Sequence, residues 1–240
     1  MANFVLIPGG GSGPQYWSLL ADELRGRGHG ALAVELPYED EKAGLEEYAD
    51  AVAQAVGDQR DLVVVAHSFG GFTGPLVCDR VPVELLVFVT GMIPRPGERP
   101  GDWWENTGHA SALRESHLRE GRDPDAQDVY DLFLHDVPRT LADAALADGR
   151  DQADTSMNAP WPAPTLPDVP TRALICTDDR YFPADFMRTM VQDRLGSAPD
   201  EMPGSHHPML SHPTELADYL ERAYMTSSGS SSDRRRRSGT

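Results

Sequence analysis

Short, almost wholly apolar runs recur along this chain, separated by stretches in which apolar residues return every three or four positions. Residues 3–8 (NFVLIP), 31–36 (ALAVEL), 61–66 (DLVVVA), 83–90 (VELLVFVT) and 171–176 (TRALIC) are runs of the first kind. Runs of this length without strict alternation read as strands buried on both faces. Trp17, Leu20, Ala21 and Leu24 share one face of a predicted helix over 15–27. Leu45, Tyr48, Ala49, Val52 and Val56 share one face of a second, over 45–57, with Gly57 as its stop. Further helices are expected over 69–80 and 213–224, and a short sixth strand near 198–202. Strands alternating with helices predict an α/β fold whose six-stranded, mainly parallel sheet carries helices on both faces.

Between Pro94 and Pro170 the strand signal stops. This region is rich in proline, glycine and tryptophan, with helical periodicity over 125–135 and 138–148. It reads as a helical cap insertion, residues 94–169, dividing a core made of 1–93 and 170–225. Residues 226–240 (TSSGSSSDRRRRSGT) are low in complexity and are expected to form a disordered, solvated tail.

The formal net charge of −17 argues against nucleic acid or an anionic membrane as partner, since both are polyanions. Cys78 and Cys176 each fall in an apolar element and read as buried free thiols. No cluster has structural-zinc spacing. The N-terminus MANFVLIPGG has no basic region followed by an apolar stretch, and no run approaches a membrane span, so a cytoplasmic location is expected.

The strand over 61–66 ends in Ala66-His67-Ser68-Phe69-Gly70. A small-x-Ser-x-small pattern between a strand and a helix is the signature of a nucleophile elbow, a tight turn that exposes the serine hydroxyl above the sheet. A serine needs a base, and in this architecture acid and base follow in loops after later strands. Thr177-Asp178-Asp179-Arg180 offers the acid; Gly204-Ser205-His206-His207 offers the base. Residue spacing alone leaves Asp178 or Asp179, and His206 or His207, open. His67, at the variable position of the elbow, is expected to pack. The glycine-rich loop Gly9 to Gly13 after the first strand is placed for an oxyanion hole; as a dinucleotide fingerprint it fails, because Pro14 stands where the last glycine is needed.

These stretches, with FVLIPGGGSGPQYW, ALICTDDRYFPADF and PGSHHPMLSHPTELADYL, resemble the α/β-hydrolase superfamily over residues 3–224. The likeness is greatest to its small-cap branch of plant methyl esterases, hydroxynitrile lyases and bacterial esterases. The resemblance implies Ser68, Asp179 and His206 as the catalytic triad; His206 follows by counting back from Met209, Leu210 and Pro213. It also implies the backbone N–H groups of Gly10 and Phe69 as the oxyanion hole. Hydroxynitrile lyases of this type carry threonine where Gly9 stands and lysine after the catalytic histidine, where this chain has His207. The expectation is therefore a cofactor-free serine hydrolase, with no metal, acting on a small hydrophobic or aromatic ester. A C–C lyase or cyclase and a ligand-binding protein on the same fold are the alternatives. Tyr16, Trp103, Trp104 and Phe133 are the expected pocket residues.

Overall fold

The structure, a computed structural model, describes residues 1–237, with side chains for residues 1–227. Six parallel strands form one sheet: β1 (Asn3–Ile7), β2 (Gly30–Ala33), β3 (Leu62–His67), β4 (Val83–Val89), β5 (Thr171–Cys176) and β6 (Asp200–Met202), in the order β2-β1-β3-β4-β5-β6. The "mainly parallel" expectation holds without exception across these pairings. β2 is shorter than its apolar run. It is an edge strand pairing only with β1, which ends at Ile7, and Pro37 then turns the chain away.

Each strand sends alternate residues to opposite faces, so two cores form. One packs Val5, Ile7, Val64, Ala66, Leu86 and Phe88 against helices α2 (Leu45–Val56), α3 (Gly74–Val77) and, past the insertion, α9 (Ala184–Leu195). The other packs Phe4, Leu6, Val63, Val65, Leu85 and Val87 against α1 (Ser18–Gly26) and the closing helix α11 (Pro213–Arg237). Strand β3 is buried throughout, which is why its sequence runs rather than alternates.

Three helical expectations are corrected. The helix expected over 69–80 is a 3₁₀ segment, Ser68–Phe72, followed by the single turn of α3. Pro75 lacks the N–H that would continue the i→i−4 ladder through this segment, while Gly70 and Gly71 let it lie against the backbone of the loops after β1 and β4. Helix α9 gives no clean periodic stripe and was not expected. The closing helix runs on beyond residue 224: Thr226 and Ser227, assigned to a disordered tail, hydrogen-bond through their hydroxyls to the carbonyls of Arg222 and Tyr224. The remainder of that expected tail lies outside the residues described with side chains.

Residues 94–169 contain α4 (Pro100–Thr107), α5 (His109–Arg119), α6 (Val129–Phe133), α7 (Arg139–Ala147) and α8 (Thr155–Asn158). Two tryptophans anchor this region to the sheet: Trp103 donates to the Ile93 carbonyl at 3.2 Å, and Trp161 to the Phe72 carbonyl at 3.0 Å. Where the region begins, the Arg194 guanidinium grips Glu98 with two hydrogen bonds, 2.6 and 2.9 Å, both side chains being under 5% exposed. Glu98 also accepts from the Arg95 N–H and from Asn106. No helix among the described residues is long and apolar enough to cross a membrane.

Removing one partner of such a pair leaves the other charged, dry and unpaired. Arg194→Met is expected to lower the free energy of unfolding by about 3–5 kcal/mol in a urea titration. Burial disfavours the Glu98 carboxylate, but Arg194 and Asn106 outweigh it and hold its pKa below the ordinary 4.5. The pair's contribution is therefore full above that value and drains away as pH falls through the lower, folded one. The wild-type advantage over the variant should shrink in titrations run below about pH 4.

Candidate active site

The chain leaves β3 at His67 and turns sharply. Ser68 sits at φ +48°, in the left-handed region that costs a non-glycine residue about 1–2 kcal/mol. The turn is held from both sides: the Met92 N–H donates to the Ser68 carbonyl at 2.9 Å. A Cβ at Gly70 would lie 2.6 Å from the Pro8 carbonyl oxygen, so only glycine lets the two segments approach. The small residue two positions beyond the serine thus has a steric cause.

Ser68 Oγ lies 3.0 Å from His206 Nε2, and His206 Nδ1 lies 2.8 Å from Asp179 Oδ2. A carboxylate only accepts, so Nδ1 carries the hydrogen and Nε2 is free to accept from the serine hydroxyl. The other oxygen of Asp179 accepts from the Tyr181 and Phe182 N–H groups at 2.9 and 2.8 Å. Asp179 and His206 are 5% and 1% exposed. The adjacent pairs left open by spacing are separated here. Asp178 turns away and accepts from the Gly204 N–H at 2.9 Å, bracing the loop that carries His206. Asp136, from the turn after α6, does the same for the Ser205 N–H at 2.8 Å.

His67 is more than packing. Its Nε2–H donates to the His206 carbonyl at 2.8 Å, and Thr90 donates to the same oxygen at 3.3 Å. Burial drives the His67 pKa well below the ordinary histidine value, helped by His207 and His206. It is therefore a neutral donor that holds the loop carrying His206 in place.

The loop after β1 folds back over Ser68. Tyr38, wholly buried, donates its hydroxyl to the Gly9 carbonyl at 2.6 Å, and the Arg150 N–H donates to the Gly11 carbonyl at 2.7 Å. With these carbonyls engaged below, the Gly10 N–H makes no hydrogen bond to the described residues. The Phe69 N–H stands in the first turn of the 3₁₀ segment, where the helix supplies no acceptor. The two residues are neighbours, since a Cβ on Gly10 would lie 3.5 Å from that of Phe69. At Gly9 a Cβ would lie 2.9 Å from His67 Nδ1 and 3.0 Å from Ser68 Cβ, so this position has no room for a side chain.

A cavity of about 290 Å³ opens above Ser68 and His206. Tyr16 and Phe133 line it, together with Leu134, Leu146, Val129 and His207. Trp103 and Trp104 do not. Trp103 is fully enclosed, its indole N–H engaged and its ring packed on Phe182 and Phe186; Trp104 packs edge-on against His109 and Tyr181. They form a layer behind Tyr181 and Phe182, whose rings stand edge-on to His206 at 5.5 and 5.0 Å. Ser12, Leu146, Gly149 and Arg150 also line the cavity and were missed. Helical periodicity over 138–148 could have offered Leu146; nothing in the sequence marks Arg150. A larger cavity, about 610 Å³, lies behind the acid among charged side chains such as Arg119, Asp185 and Arg188, and does not reach Ser68. Among the described residues no group of His, Cys, Asp and Glu is arranged to hold a metal ion.

The sequence model of the alpha/beta hydrolase family matches residues 4–219. A probable esterase, PIR7A, from Oryza sativa subsp. indica is 36% identical over 112 residues, 41% of this chain and 42% of that protein. The aligned stretch thus spans under half the length of that relative. Norfluorocurarine synthase 2 from Strychnos sp. is 23% identical over 253 residues, covering 91% of this chain and 93% of its own. An extracellular alpha/beta-hydrolase from a Paenibacillus species superposes with a TM-score of 0.72 at 21% identity, over 93% of this chain and 99% of that one. With a parallel sheet in this order, a serine at the turn after β3 and a family match over most of its length, the chain belongs to the alpha/beta hydrolase family.

Proposed function

We propose that the protein is a serine hydrolase that cleaves a small, hydrophobic or aromatic carboxylic ester through an acyl-enzyme. One observation carries the reading: the unbroken hydrogen-bonded chain Ser68–His206–Asp179 opens into a cavity beside two backbone N–H groups. The esterase among the relatives supports ester hydrolysis in general.

In this mechanism Ser68 Oγ attacks the ester carbonyl while His206 Nε2 takes its proton. Asp179 holds the imidazole tautomer and stabilises the imidazolium. The N–H groups of Phe69 and Gly10 receive the oxyanion of the tetrahedral intermediate; such a donor is typically worth about 100- to 1000-fold in rate. His206 then delivers the proton to the departing alkoxide oxygen. A water molecule, deprotonated by His206, attacks the acyl-enzyme; as the tetrahedral intermediate collapses to the acid, His206 returns that proton to Ser68 Oγ. The cavity volume sits near the lower end for small-molecule sites, and Val129, Phe133, Leu134 and Leu146 supply its apolar wall.

A cofactor-free C–C lyase or cyclase would use the same side chains, and one relative is named a synthase. The crowding at Gly9 speaks against the lyase type that needs a threonine there. A ligand-binding protein on this fold would need no turnover at all, so activity and labelling separate the three.

Wild-type protein should release p-nitrophenol from short p-nitrophenyl esters and be labelled by a fluorophosphonate on Ser68, detected by mass spectrometry of the peptide. Ser68→Ala should abolish both with its melting temperature kept; residual wild-type rates in that variant would remove the serine from its role. Retro-aldol turnover without labelling would favour the lyase, and tight ligand binding with neither would favour the binding protein. Asp179→Asn should lower kcat by about 10³- to 10⁴-fold in the same assay, because the amide no longer selects the Nδ1–H tautomer. Gly9→Ala should lower kcat/KM at least about 10-fold and also lower the melting temperature, as the methyl must displace His67 and Ser68.

A further inference from the structure

Three histidine rings crowd the floor of the cavity, and the chemistry uses one of them. His207 follows His206 and lines the same space. The residue is 7% exposed, and its ring packs on Tyr16 and His67, with centroids 5.0 and 4.9 Å away. Nδ1 lies 3.2 Å from the Phe133 carbonyl oxygen, which can only accept, so Nδ1 carries the hydrogen. Burial, reinforced by the neighbouring His206, pushes the His207 pKa down to about 3. A neutral ring with hydrogen on Nδ1 has a bare lone pair on Nε2, and no described residue donates to it.

Two hydroxyls, those of Tyr16 and Ser12, line the same cavity, and the Tyr16 ring packs directly on His207. Neither hydroxyl is bonded to a described residue. Burial and Asp148 raise the Tyr16 pKa to about 12, so it is a donor at neutral pH. None of these atoms is sealed inside protein; they are open to the cavity. The cavity lining thus offers a fixed acceptor and two donors among otherwise apolar side chains, Val129, Phe133, Leu134 and Leu146. A hydroxyl is the small neutral group that satisfies both kinds at once.

We propose that His207 is a specificity-determining residue that reads a hydroxyl group on the substrate, the ester cleaved at Ser68 being a small hydroxylated one. The substrate O–H donates to Nε2 of His207, and its oxygen accepts from Tyr16. The proposal rests on the ester-hydrolase reading above and narrows its substrate class. An analogue without the hydroxyl leaves a desolvated acceptor unpaired, which is the condition under which a polar site discriminates strongly.

The test compares kcat/KM for matched esters. Methyl 3-hydroxybutanoate and methyl 4-hydroxyphenylacetate probe the acyl side against their deoxy and O-methyl counterparts; 2-hydroxyethyl butanoate probes the alcohol side against propyl butanoate. At least one hydroxy ester should exceed its counterparts by about 10-fold or more. His207→Asn keeps a donor for the Phe133 carbonyl and removes the acceptor; it should bring that ratio near one. His207→Gln places an amide oxygen near the lost Nε2 and should restore much of the ratio. Folding of each variant is checked by fluorophosphonate labelling and by melting temperature. Should His207→Asn fail to fold, Tyr16→Phe carries the test and should cut the ratio at least about threefold. Equal rates for hydroxy and deoxy esters, or a ratio that survives in His207→Asn or, in its stead, Tyr16→Phe, would overturn the proposal. Absence of any ester turnover or labelling in wild type would instead overturn the hydrolase reading beneath it.

Discussion

The left-handed backbone at Ser68 is the constraint from which the site follows. It reverses the chain at the end of the most buried strand and lifts the hydroxyl clear of the sheet. It also presses the next turn against the loop after β1, so that Gly70 touches the Pro8 carbonyl and Gly10 comes beside Phe69. A strained residue of this kind persists only where its surroundings over-determine it. Here the Met92 N–H, the packed β1 loop and the fully buried β3 do so.

The sheet order turns this local geometry into a meeting point. β1 sends one connection outward to β2 and the chain returns to β3 on its other side, which opens a crevice at the carboxyl ends of β1 and β3. The parallel pairing places the loops after β5 and β6 on the same edge. Residues 179 and 206 reach residue 68 because of that edge, not because of any helix or loop preference of their own.

Charge is distributed over the three neighbouring histidines by burial and partners. His67 and His207 have backbone carbonyls as partners and are held neutral by desolvation. Of the three, only His206 has a carboxylate as its hydrogen-bond partner. The flanking rings stand as fixed, uncharged hydrogen-bonding walls beside the Ser68–His206 pair. The region between β4 and β5 completes the arrangement: Asp136 braces the histidine loop, Arg150 holds the glycine loop, and Phe133 anchors His207.

The alternation of apolar runs and helical stripes was enough to read the sheet, most of its helices and the elbow serine, because burial on both faces writes itself into consecutive residues. The choices within Asp178-Asp179 and His206-His207 needed resemblance or coordinates, since adjacent side chains differ only in direction and composition carries no direction. The break in the helix after Ser68 has a cause that the sequence does display, Pro75, whose missing N–H interrupts the i→i−4 ladder; the close approach of Gly70 and Gly71 to distant loops is what only the coordinates reveal. Trp103 and Trp104 looked like cavity walls because aromatic composition does not say which face of a helix meets which space. The three-dimensional arrangement turned them toward the core and gave the cavity to Tyr16, Phe133, Leu146 and His207, since a pocket is defined by the gap between elements rather than by any one of them.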